Sequence, residues 1–90
     1  MEDEAHAFER GWALNWIRGS IASYLRGSTP LNIVQGRIKK AVKSYGVRLQ
    51  DISAILNALL MDPVLDVPSE LKESRAKPLL EFIKNLERGG

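Results

Sequence analysis

Apolar residues recur along this chain at helical spacing, and four segments carry them. Residues 4–26, EAHAFERGWALNWIRGSIASYLR, predict a first helix, with acids near its start and Arg26 near its end, as the helix dipole favours. Gly27 and Ser28 stop it. At about 100° per residue, Leu14, Ile17, Ile21, Tyr24 and Leu25 share one face, while Phe8, Trp12 and Trp16, each four apart, lie almost opposite. The helix is therefore apolar on two sides. Either a neighbouring helix covers the aromatic row, or the row is a dimer or partner interface, where aromatic anchors are favoured. An interfacial membrane helix fits less well, because Arg10, Arg18 and Arg26 do not gather into one polar stripe. Gly11 and Gly19 each cost about 1 kcal/mol against alanine, and they either permit close packing or mark a break near Gly11.

The second helix starts at Thr29-Pro30, read as a side-chain N-cap followed by proline at the first helical position. Leu31, Val34, Ile38, Ala41, Val42 and Tyr45 form its apolar stripe, with Arg37, Lys39, Lys40 and Lys43 outside it. Gly46 ends it as a left-handed cap. A third helix runs from about Leu49 to Met61, with Leu49, Ile52, Ile55, Leu56, Leu59 and Leu60 inward. Its other face, Gln50, Ala54, Asn57, Ala58 and Met61, has little charge and little bulk, so a DNA groove or another helix could approach closely. After the turn from Pro63 to Pro68, residues 69–77 predict a short polar helix, restarted or kinked at Pro78 before the stripe Leu79, Phe82, Ile83 and Leu86. The expectation is an all-α fold: a compact bundle of four to five short helices containing a helix-turn-helix-like pair. It forms one domain over residues 1–90, with frayed ends near 1–5 and 88–90.

Charge sharpens the picture. The net +2 conceals a segregation: residues 1–10 carry net −3, residues 11–50 carry seven bases and no acid, and residues 51–90 carry net −2. The central block either makes a positive surface that attracts phosphate or another anionic partner, or is simply a solvated basic face. Chemistry, by contrast, is sparse. His6 is the only histidine, set in an acidic N-terminus where it reads as a solvent-exposed bystander, and there is no cysteine. No zinc spacing, phosphate loop or nucleophile elbow is present, so the expectation is a non-enzyme without cofactor, metal or small-molecule substrate. The start lacks a signal peptide's basic and apolar run, and no stretch approaches the roughly 20 apolar residues of a membrane span; a cytoplasmic protein is expected.

The segment Ala41-Val-Lys-Ser-Tyr-Gly-Val-Arg-Leu-Gln-Asp-Ile-Ser-Ala-Ile-Leu-Asn57 resembles the helix-turn-helix of lac-repressor-type transcription factors in its Gly46-Val47 turn, Ile52-Ser53 and closing Asn57. It departs from that pattern at Val42, where the family has alanine, and at Arg48, where the family has serine or threonine; Asp51 also sits near the expected phosphate. The resemblance implies a DNA-binding transcription regulator. Leu49, Gln50, Ser53 and Ala54 would turn toward base edges, and Arg48 and Asn57 would lie beside phosphates. Gln50 is the one strong base reader, since its amide can pair bidentately with adenine. In this reading Arg37, Lys39, Lys40, Lys43 and Arg48 hold the phosphates of double-stranded DNA, and the Phe8/Trp12/Trp16 row forms a homodimer. The alternative is a helical adaptor or inhibitor that docks on a protein through that row or through the neutral face of the third helix.

Overall fold

The computed structural model describes residues 2–89, with side chains from residue 9 onward, and its four helices are α1 (Glu2–Leu25), α2 (Leu31–Ser44), α3 (Leu49–Met61) and α4 (Ser69–Glu87). There is no strand among the described residues. His6 and Phe8 fall outside the described side chains.

The 24 residues of α1 span about 36 Å, and the other three helices all pack against this spine. The helix passes through Gly11 and Gly19 without a break. Its buried apolar residues are Ala13, Ile17, Ile21, Tyr24 and Leu25, close to the stripe anticipated from spacing, with Leu14 half-buried and Ser20 buried beside them. Gly27, at φ +87°, closes the helix with a Schellman pair: its N–H donates to Tyr24 O, and Ser28 N–H donates to Ser23 O, both at 2.9 Å.

The start of α2 differs from expectation by one residue. Pro30 is the N-cap, with an extended backbone and its carbonyl accepting from Val34 N–H, while Thr29 Oγ1 is bonded to Ser23 Oγ at 2.7 Å. The Thr29 hydroxyl thus ties the loop back to α1 instead of capping α2. At the far end Gly46 adopts φ +68°, Val47 N–H donates to Ala41 O at 3.1 Å, and the Val47 side chain is buried. The turn is therefore anchored in the core. α4 continues unbroken through Pro78 as a single helix, so the bundle has four helices, within the four to five expected, and no restart at Pro78. Pro78 is exposed, so the Ser74 carbonyl that loses its partner faces solvent, and Ala76, Leu79 and Ile83 hold the helix on the opposite side.

The core joins those α1 residues to Val34, Ile38 and Ala41 of α2, Ile52, Leu56 and Leu59 of α3, and Ala76, Leu79 and Ile83 of α4. Two polar clamps lie at its edge. Arg75 Nη1 donates to Leu25 O at 2.6 Å, and Tyr24 Oη donates to Arg75 O at 2.6 Å, which joins the end of α1 to α4. Lys72 is buried, and its Nζ donates to Leu60 O and Asp62 O, each at 3.3 Å, at the carbonyl-rich end of α3.

α2 and α3 adjoin in sequence but form the weakest pairing in the bundle. The side chains of α1 show why. Trp12, Trp16 and Ser20 meet Tyr45 and Arg37 on one side, whereas Leu14, Asn15 and Arg18 border Asp51, Ala54 and Ile55 on the other. Beyond their shared turn, α2 and α3 lie on opposite flanks of α1. No described helix is long and apolar enough to cross a membrane.

Candidate nucleic-acid interface

Lys39, Lys40 and Lys43 are exposed on the outer face of α2. Together with Gly36 they occupy positions i, i+3, i+4 and i+7, which fall within about 100° of helix surface. A side chain at Gly36 would meet nothing within 4 Å, so the backbone itself is open one turn before Lys39 and Lys40. None of the three lysines forms an ion pair among the described residues. Three neighbouring ammonium groups without carboxylate partners keep their charge available for an external anion.

The two arginines expected beside them are engaged elsewhere. Arg37 is half-buried: its Nη1 donates to Ser20 Oγ at 3.0 Å, its guanidinium lies 5.9 Å from the Trp16 ring centroid, and Ser20 Oγ in turn donates to Trp16 O at 2.8 Å. It fastens α2 to α1. Arg48 stands at the N-cap of α3 and pairs with Asp51 at 3.3 Å; its side chain is 71% exposed, so the pair is a weak surface contact.

The α3 residues expected to read bases do form one surface. Gln50, Ala54 and Asn57 are exposed on the outer face, and Ser53 is half-buried beside them. α3 carries this surface on the flank of α1 opposite α2. The structure therefore divides the expected site in two: Lys39, Lys40 and Lys43 on α2, and Gln50, Ser53, Ala54 and Asn57 on α3. Arg37 sits inside the α1/α2 contact, while Arg48 is near the turn.

The aromatic row is partly covered by α2. Trp12 and Trp16 stack with centroids 5.5 Å apart, and the Tyr45 ring stands edge-on to both, at 5.5 and 6.2 Å. Trp16 is half-buried in this cluster, whereas Trp12 remains 51% exposed. The α2 side of the bundle thus covers Trp16, while Trp12 faces outward.

Residue spacing did not draw attention to Phe82 and Asn85. With Leu86, they border a groove of about 250 Å³ whose other wall is Lys39 and Lys43. Lys39 Nζ lies 5.8 Å from the Phe82 ring centroid. Phe82 had the spacing of a core residue, and only the packing of α4 beside α2 brings it to the lysines. Among the described residues no cluster of three or more histidines, cysteines or carboxylates could hold a metal ion. Comparison with protein-family models, curated protein sequences and solved structures finds no match to this chain.

Proposed function

We propose that this is a small non-enzymatic nucleic-acid-binding protein whose affinity comes from the lysine face of α2. The observation that carries this reading is the group of three exposed lysines, without an ion-pair partner among the described residues, that follows the bare backbone at Gly36. Such a face engages phosphates and carries little sequence information, because base edges are not what ammonium groups on a convex helix reach first. A role in transcription and a cytoplasmic setting go with this reading. The Gln50/Ala54/Asn57 face of α3 would contribute to discrimination only through a second segment of nucleic acid or a second copy of the chain, since α3 packs on the flank of α1 opposite α2.

Fluorescence anisotropy with labelled duplex DNA tests the proposal. Three phosphate contacts give a slope of about −2.7 for log affinity against log salt, which weakens binding by roughly fortyfold between 50 and 200 mM. A flat titration at low salt overturns it.

A second reading, a module that docks on another protein, is favoured by the exposure of Met61 (85%) and Val64 (82%) at the end of α3's uncharged face. In that case Ala54→Glu abolishes association with the partner and leaves DNA titrations unchanged.

A further inference from the structure

The lysine face of α2 is not a uniform cationic surface, because one edge descends into the groove between α2 and α4. Lys39 and Lys43 form one wall, and Phe82, Asn85 and Leu86 form the rest. The volume, about 250 Å³, lies below the roughly 300–1,000 Å³ of pockets that enclose drug-sized ligands, and it suits one flat ring system rather than a base pair. Phe82 and Leu86 are half-buried and pack on the core, so they offer a fixed apolar floor. The Lys39 ammonium stands 5.8 Å from the Phe82 ring centroid, at the end of an exposed side chain. The attraction of a cation to a ring face is modest at an exposed site, so the ammonium is readily exchanged for another group. Asn85, exposed at the rim, carries both a donor and an acceptor.

We propose that this groove takes one unpaired nucleobase, so that the protein prefers single-stranded over duplex nucleic acid; this rests on the nucleic-acid reading above. The base stacks on Phe82 in the place held by the Lys39 ammonium, and its polar edge meets the Asn85 amide. The displaced ammonium then turns to the phosphate of the same nucleotide. Lys43, one turn along α2, and Lys40, next to Lys39, meet neighbouring phosphates. In a duplex the bases are stacked within the helix and only the backbone reaches α2, so Phe82 and Asn85 add nothing. Aromatic stacking of a single base is strong enough to give a preference of roughly tenfold at equal salt.

The test compares three labelled 12-nucleotide probes with the full chain at one salt concentration: a mixed-sequence single strand, its duplex, and a strand of the same length made of abasic residues. The expected result is about tenfold tighter binding of the single strand than of either other probe. Phe82→Leu keeps the apolar packing but removes the aromatic face, so it should bring the single strand down to the duplex value while duplex affinity stays unchanged. Equal binding of the single strand and the abasic strand overturns the inference, as does a preference that survives in a folded Phe82→Leu variant. The abasic comparison decides the matter even if that variant fails to fold. In those cases binding of the duplex still supports the lysine face, whereas no binding of any probe at low salt overturns both readings.

Discussion

Tyr24 and Lys72 show how single polar groups hold this small bundle together. Burial pushes the Tyr24 phenol above its ordinary value of 10.0, with the nearby Arg75 guanidinium pulling partly the other way. The protonated phenol is the form that donates to Arg75 O. A group whose folded value is raised contributes stability that is fully present below its unfolded value and is lost as pH rises through the folded one. Stability should therefore decline above about pH 10, and Tyr24→Phe should remove that part of the decline while costing about 1 kcal/mol at neutral pH. Urea titrations of both proteins at several pH values from neutral to strongly alkaline check this. Lys72 acts at the other end of the core. Lys72→Met keeps most of its volume but leaves Leu60 O and Asp62 O without this donor. A loss of about 1–2 kcal/mol is expected, visible as a fall in Tm of roughly 4–8 °C per kcal/mol for a domain of this size.

At the scale of elements, what periodicity can express was legible and what depends on neighbours was not. The stripes of α2 and α3 follow from spacing alone, and Val34, Ile38, Ile52 and Leu56 are all fully buried. Gly27 and Gly46 end their helices with positive φ because no other residue adopts that backbone as easily. By contrast, Lys72 lies in a segment that reads as polar, and its burial arises only where the end of α3 meets α4. Thr29 has the chemistry of an N-cap, yet Ser23 one loop away captures its hydroxyl. The candidate site divides in the same way. The three lysines could be placed on one face from their spacing, but nothing in the pattern withdraws Arg37 into a contact with Ser20 and Trp16. Nor does spacing reveal that α2 and α3 pack on opposite flanks of α1. Pro78 offers a direct test at this scale: its exposed ring sits inside an intact helix, so Pro78→Ala restores one backbone hydrogen bond and relieves a clash. The expected gain is about 1–3 kcal/mol, read as a higher urea midpoint at an unchanged slope.

For the whole molecule, the bundle determines what becomes of the acid-free block from residue 11 to residue 50. Seven formal positive charges in that block do not make one continuous surface. Arg37 is engaged in the α1/α2 contact, Arg48 is partnered by Asp51, Arg18 borders α3, and Arg26 is exposed just past the end of α1. Lys39, Lys40 and Lys43 remain together on α2. The central claim is that this one face, rather than net charge or the turn between α2 and α3, carries anion binding. It is tested most directly by measuring duplex-DNA affinity against salt for the wild-type chain, for Lys39→Glu/Lys43→Glu and for Arg18→Glu/Arg48→Glu. Both double variants change net charge equally, but they alter different flanks. The α2 variant should lose binding and its salt dependence, while the other stays within about threefold of wild type and keeps a slope near −2.7. Equal losses in the two variants, or a larger loss from Arg18→Glu/Arg48→Glu, would contradict it.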